Sequence, residues 1–548
     1  MDGVSFQARR NIRLSDTVFL PEFLEEFCAR TCRTNARFVR HPLKLRLILL
    51  LALMPVAGSA QIVIPKVLSD HMVVQRDLPV HVWGRAPVGE QVSVTFRGQT
   101  ATGTSDRIGR WSIYLKPGAA GGPFEMTIKG AQAEVASGSV DANALPLVTI
   151  HDILVGDVWI ASGQSNMEFP MSRAASAGTD LPHADNPQIR LLMVDKKAAD
   201  YPQDDLPTSG WAVSTPETAK EFSAVAWYFA REIEQREHVP VGVVDSTWGG
   251  TVAESWVRLT ALGEDASLDP LFASRGKMLD YAADTENQLK DEQRQRDEAK
   301  TQGKPIPQFP WHPPLASWGP GNLWNGMIAP LAPFPIRGAL WYQGESNSAL
   351  ERWPLYNRIM RTLIEDWRRQ WGQGAFPFYY VQISNFKSTP LEDWASLREQ
   401  QMKTLGLRNT AMAVTIDIGN PDDVHPTDKA DVGHRLALAA RALNYGESSL
   451  EYSGPMFRQA TPEGGSIRAW FDHAKGLTAK GEEVTSVEVA GPDGKFAPAR
   501  ATVDGETIVA SSPDVPNPIA IRYGWSNSPQ CNLFNGEGLP ASPFTSAH

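Results

Sequence analysis

Between residues 157 and 443, short apolar runs alternate with longer amphipathic stretches, and this alternation limits the chain more than any other feature. The runs at 157–161, 189–194, 241–245, 338–342, 378–383 and 411–417 have the length and the β-branched and aromatic content of buried strands. Between several of them, the stretches at 219–237, 354–371, 394–405 and 427–443 space their apolar residues as helices do. Strands joined through helices of that length predict a mostly parallel sheet covered on both faces, a three-layer α/β/α domain over 151–444. In such sheets a ligand sits beyond the C-terminal strand ends, so the chemistry is sought in the loops that follow the apolar runs.

Both flanks follow another pattern. Residues 61–150 hold short Val-, Thr- and Phe-rich segments punctuated by Gly and Pro, including QVSVTFRGQT and PFEMTIKG, which predict a β-sandwich or jelly-roll domain. From 445 to 548, segments such as SIRAWFDHA, TSVEVAG and PIAIRYGW predict a second β-rich module. One interruption, near 262–320, joins a polar helical run at 285–300 to the Pro- and Trp-rich PIPQFPWHPPLASWGPG. It is too long for a crossover and predicts an insertion at the ligand-binding edge, either walling a cleft or serving as a structural arm or a dimer contact.

The first sixty residues carry nine Lys or Arg against five Asp or Glu, a net +4 in a chain of net −10. A basic patch, HPLKLR, precedes the apolar run at 47–57 and then Gly58-Ser59-Ala60, the order of a secretory signal peptide. The run is short for a membrane span, so export to the periplasm or beyond, without stable membrane insertion after cleavage, is the expectation. Cleavage after Ala60 would remove Cys28 and Cys32 and leave Cys531 alone, so no intramolecular disulfide is expected and stability must come from the core. The acidic balance and the lack of a basic stripe argue against a nucleic-acid partner.

Four polar segments follow the apolar runs. The first, GDVWIASGQSNME, ends its strand at Gly163 and places Ser165 on a tight turn, where a serine is either a helix cap or a nucleophile. The run AMAVTIDI empties into GNPDDVHPTD, which holds His425, with Asp422 three residues earlier and Asp423 two earlier. An imidazole can take a serine proton, and a carboxylate can hold its other nitrogen; the same loop could instead be a hydrated acidic turn or a metal site. After 241–245 comes STWGGT, whose paired glycines let backbone N–H groups approach a reacting oxygen. After 338–342 comes QGESN, which brings a side-chain amide to the same edge.

These segments, with SDHMVVQR, LWNGMIAPL and the terminal IRYGWSNSPQCNLFNGEGLPASPF, resemble the SGNH/GDSL hydrolase superfamily, and within it the sialate O-acetylesterase-like carbohydrate acetylesterases. The resemblance runs from 69 to 544. It implies an SGNH-type α/β/α domain with Ser165 as nucleophile, His425 as general base and acid, and Asp422, through the family's D-x-x-H pattern, as the residue orienting His425. It implies an oxyanion hole from the N–H groups of Ser165 and Gly250 with a side-chain amide. The superfamily's usual G-x-N-D becomes Gln343-Gly344-Glu345-Ser346-Asn347, so Gln343 and Asn347 compete for that role and Gln343 is favoured. Glu345 is open to positioning His425, organising its own turn or touching substrate. Trp248, Trp341 and Trp311 are candidate sugar contacts. No metal or cofactor is implied.

The expected function is serine-dependent hydrolysis of acetyl esters on oligosaccharides or polysaccharides. Plant hemicellulose, xyloglucan or xylan, is the expected substrate on the strength of the leader and the aromatic insertion. The alternatives are a sialate 9-O-acetylesterase and a non-catalytic carbohydrate-binding protein on the same scaffold.

Overall fold

The strand that ends at the nucleophile organises everything around it. In the computed structural model, which describes residues 62–130, 147–307 and 315–547, this strand, β1 (Leu147–Gly163), is 17 residues long and buried from Ile153 onward. The expected leader, with Cys28 and Cys32, and Trp311 lie outside the described residues.

The first half of β1 pairs antiparallel with Gly121–Gly130 and parallel with Val73–Gln75. Its second half pairs parallel with β4 (Val241–Thr247) on one side and β5 (Gly338–Tyr342) on the other. β2 (Asn186–Met193), β6 (Phe378–Val381) and β7 (Thr410–Ala413) extend the parallel sheet, and β3 (Trp211–Ser214) closes one edge antiparallel. The order is β7-β6-β5-β1-β4-β2-β3. The sheet therefore runs without a break into the N-terminal β-rich region, and the described residues form one compact unit.

A buried carboxylate joins the two halves. Asp157, fully buried on β1, accepts bonds from Gln75 Nε2 (3.0 Å), Arg76 Nε and Nη2 (2.9 Å each) and the Tyr445 hydroxyl (2.9 Å). Four donors offset the cost of placing an ion there.

The helices cover the sheet much as the periodicity predicts, with starts set by caps. α1 begins at Ala224, five residues after the apolar pattern does, because Ser223 caps it by accepting from Ala226 N. α2 (Asp269–Thr301) belongs to the insertion and extends the polar run toward its N-terminus by 16 residues; α3 (Tyr356–Trp371), α4 (Trp394–Lys403) and α5 (Ala430–Asn444) follow. α1 and α5 pack over one face, where Trp159, Phe229 and Val243 are buried; Trp341, Trp367 and Phe378 are buried in the core of the other.

The C-terminal module holds two antiparallel four-stranded sheets around Ile467, Val489, Ile521 and Phe544. Arg398 of α4, fully buried, ties it to the α/β region by donating to the carbonyls of Ile383, Ser384, Ser526 and Asn527 at 2.8–3.1 Å.

Candidate active site

The end of β1 is shaped by a glycine that no other residue replaces. Gly163 has φ +133°, and a Cβ there would lie 2.2 Å from the Tyr342 carbonyl. This close approach lets Gln164 N donate to Tyr342 O (3.0 Å) and Trp248 N donate to Gly163 O (3.0 Å), which locks three strand ends together. The chain then makes one helical turn, Ser165–Glu168, with Ser165 as its first residue.

Ser165 Oγ lies 2.8 Å from His425 Nε2, across 260 residues of sequence. The imidazole is carried by the loop after β7. Asn420 Oδ1 accepts from Asp422 N (3.0 Å), and Asp423 Oδ1 accepts from the amide of His425 (2.9 Å). Asn166 Nδ2 donates to Val424 O (3.0 Å) from beneath. Burial first, and then the cation of Lys429, hold the His425 pKa below its ordinary 6.5, so the ring is a neutral acceptor at neutral pH.

The carboxylate nearest His425 Nδ1 is Asp423, at 3.8 Å. Asp422 points outward, 77% exposed, and pairs with Lys387 Nζ at 2.9 Å. The choice of Asp422 as orienting residue is therefore corrected: the turn capped by Asn420 directs the i−2 carboxylate toward the ring and the i−3 carboxylate to solvent.

The oxyanion candidates divide. The N–H groups of Ser165 and Gly250 take no acceptor among the described residues. Gly249 packs against the nucleophile, so close that a Cβ would lie 3.2 Å from Ser165 Cβ, and its N–H donates to Glu168 Oε2. Trp318 Nε1 holds the Gly250 carbonyl at 2.8 Å. Gln343 and Asn347, by contrast, are wholly buried and donate to protein oxygens. Gln343 Nε2 donates to Asn347 Oδ1 (2.7 Å), Gln164 Oε1 (3.1 Å) and Thr251 O (3.2 Å), while Asn347 Nδ2 donates to Glu254 (2.9 Å). Both amides frame the loop, which corrects their assignment as oxyanion donors.

Two candidate substrate contacts are corrected likewise. Trp341 is fully buried between Trp256 and Trp367, with ring centroids 6.1 and 6.2 Å away, and Glu345 is buried against Asn166. Trp248 is half-buried after β4, its ring packed on the core.

Ser165 and His425 open into a cleft of about 560 Å³, walled by Glu168, Phe169, Pro170, Arg173, residues 193–196, Glu221, Asp245 and Thr247. None of the described residues of the 262–320 insertion lines it. Lys196 pairs with Glu168. Arg173 is exposed, its guanidinium 4.7 Å from the Phe169 ring centroid, and it has no carboxylate partner among the described residues. Asp245, buried without a cation on it, has its pKa pushed up to about 7 by desolvation. Sequence reasoning missed Arg173, Glu168, Asn166, Lys429 and Trp318. Asn166 and Glu168 stand inside the GQSNME segment and Lys429 follows HPTD, so proximity to the motifs was the available signal.

A serine and a neutral histidine in hydrogen-bond contact, at the C-terminal edge of this sheet and beside two unpaired N–H groups, define an SGNH-type serine esterase site. Comparison with known proteins carries this further. A family model for carbohydrate esterases, sialic acid-specific acetylesterase, matches residues 312–442. Mouse sialate O-acetylesterase is 29% identical over 87% of this chain and 93% of its own, and the human enzyme is 29% identical over 87% and 91%. The crystal structure of a carbohydrate acetylesterase from Xanthomonas citri is 36% identical, covers 89% of this chain and 99% of its own, and superposes with a TM-score of 0.75.

The chain belongs to the sialate O-acetylesterase-related family of carbohydrate acetylesterases, and it is a carboxylic ester hydrolase. The same matches overturn the expected preference for xyloglucan or xylan, because the family model is sialic acid-specific and the mammalian relatives are sialate O-acetylesterases. No helix among the described residues is long and apolar enough to cross a membrane.

Proposed function

We propose that this protein is a sialate O-acetylesterase in which Ser165 is the nucleophile, His425 the base and acid, and Asp423 the carboxylate facing the imidazole. The 2.8 Å contact between Ser165 Oγ and His425 Nε2 carries the reading. His425 takes the Ser165 proton as Oγ attacks the acetyl carbonyl, and the N–H groups of Ser165 and Gly250 receive the oxyanion. The imidazolium, 3.8 Å from Asp423, then protonates the departing sugar oxygen, which leaves as a hydroxyl. Water, deprotonated by the same ring, attacks the acetyl-enzyme and releases acetate.

Arg173 supports the sialate reading from the physics of the cleft. A sialic acid differs from a neutral sugar by its carboxylate, and an unpaired guanidinium stacked on Phe169 suits that group. The cleft is large enough for one such monosaccharide. The leader at 1–60 supports action in the periplasm or outside the cell.

The test is acetate release from O-acetyl sialic acid and from an acetylated neutral hexose, by wild type, Ser165→Ala and Arg173→Gln. Wild type is expected to favour the sialic acid by more than tenfold in kcat/KM, Ser165→Ala to lose turnover on both, and Arg173→Gln to lose the preference through KM. Activity in Ser165→Ala defeats the serine mechanism; a wild-type preference for the neutral sugar defeats the substrate.

A further inference from the structure

Beneath the nucleophile lies a buried polar cluster that the mechanism above does not use. Asn166, 1% exposed and adjacent to Ser165, spends its whole amide inside the protein. Its Oδ1 accepts from Lys429 Nζ (2.6 Å), and its Nδ2 donates to Glu345 Oε1 (2.6 Å) and to the carbonyl of Val424 (3.0 Å), the residue before His425. Lys429 is fully buried, its ammonium 4.8 Å from the Phe169 centroid and 5.3 Å from the Tyr342 centroid. Glu345 is 8% exposed and its Oε2 has no partner.

Replacing a buried lysine and glutamate by apolar residues of similar size is often neutral or stabilising, so stability alone does not account for this pair. Here they lie on opposite sides of one amide. Burial pushes the Lys429 pKa down to about 7 and the Glu345 pKa up. The lysine nitrogen donates to the amide oxygen and the glutamate Oε1 accepts from the amide nitrogen, so the amide has a single favourable orientation between them. In that orientation its second N–H falls on Val424 O. The nucleophile's neighbour thereby holds the backbone that carries the base, and the 2.8 Å contact between Ser165 and His425 is set across this one side chain.

We infer that Asn166 is a positioning residue, held by Lys429 and Glu345, that sets the distance and angle between Ser165 and His425. The inference rests on the serine esterase reading and adds to it. Misplacing a catalytic group by about 1 Å costs on the order of 100-fold in rate, so a small tilt of the His425 loop is enough to be measured.

The test uses the full chain, with 4-nitrophenyl acetate as a probe that lacks a carboxylate for Arg173 and Ser165→Ala as control. Asn166→Ala and the isosteric Asn166→Asp, which keeps an acceptor for Lys429 but cannot donate to Val424 O, are each expected to lower kcat about 30- to 100-fold with KM changed less than threefold. Folding is checked by thermal unfolding, and where Asn166→Ala does not fold, Asn166→Asp decides. Lys429→Met is expected to lower kcat as well and to move the acid limb of kcat/KM upward. Of the charged groups around His425, Lys429 and Arg173 favour the neutral ring while Asp423 and Glu168 favour the charged one, and only Lys429 is removed. Asn166→Asp folded with kcat within threefold of wild type, or Lys429→Met with wild-type kcat and acid limb, overturns the inference. If Ser165→Ala remains active, the esterase reading itself falls; if it is inactive while the Asn166 variants are normal, only this inference falls.

Discussion

Replacing Asp423 by Asn removes one charge from the site and little else. Asn keeps an oxygen where Asp423 Oδ1 accepts the amide of His425 at 2.9 Å, so the loop retains its shape while the imidazolium loses its counter-ion at 3.8 Å. Two unit charges about 4 Å apart attract by about 1 kcal/mol in bulk water and about 4 kcal/mol at an effective dielectric constant of about 20. Asp423 is 54% exposed and His425 32%, which places the pair toward the watery limit, at roughly 1–2 kcal/mol. Since each 1.36 kcal/mol is tenfold in rate, kcat/KM for 4-nitrophenyl acetate is expected to fall about 5- to 30-fold. The acid limb should also move to lower pH, because Asp423 favours the charged ring. Asp422→Asn breaks only an exposed pair with Lys387 and is expected to leave kcat/KM within about twofold and both limbs in place. A larger loss in Asp422→Asn than in Asp423→Asn, or an unmoved limb in Asp423→Asn, refutes the assignment.

Further expectations follow from the same geometry. The His425 pKa is depressed and the base must be neutral, so kcat/KM should rise with pH along a limb centred below 6.5; a limb above 6.5 contradicts the burial argument. Asp245, raised from 3.8 to about 7, binds a proton in the folded state that the unfolded chain has lost, so its contribution to stability falls as pH rises between those values. Asp245→Asn removes that loss, and its Tm relative to wild type should increase from pH 4 to pH 7 and then level off; a constant difference would show that Asp245 stays ionised. Gly249→Ala places a Cβ 3.2 Å from Ser165 Cβ, and the nucleophile must shift by a few tenths of an ångström. The expected loss is about tenfold in kcat with Tm nearly unchanged, and wild-type kcat would show that the two loops can separate freely.

How far the sequence reveals this molecule depends on the range of the interactions involved. The parallel sheet was legible because the stretches at 241–244 and 338–342 are apolar without interruption, as burial on both faces demands. β3 was not, because its four residues carry no periodicity and acquire strand geometry only by pairing with β2. Nor was the 17-residue length of β1, whose first half is a strand because Gly121–Gly130 and Val73–Gln75 lie beside it. The polar helix at 285–300 was legible, but its start at Asp269 was not.

The site divides along the same line. Ser165 and His425 stand at the ends of apolar strands, and their residue types declare their chemistry. The choice between Asp422 and Asp423 depended on a turn that Asn420 caps, and two consecutive identical residues give no local sign of which one the turn sends inward. Gln343 and Asn347 offered amide donors in the right segment, yet Glu254, Gln164 and Thr251, each more than 90 residues away, consume them. The same reasoning explains why Lys429 carries no local signal and Glu345 stays open between three roles in the sequence: 84 residues apart, they become a buried pair only when Asn166 stands between them. A buried polar group is intelligible through its partner, and in this fold the partners come from other strand ends. The charges most tightly bound into the structure around Ser165 were for that reason the least visible in the sequence.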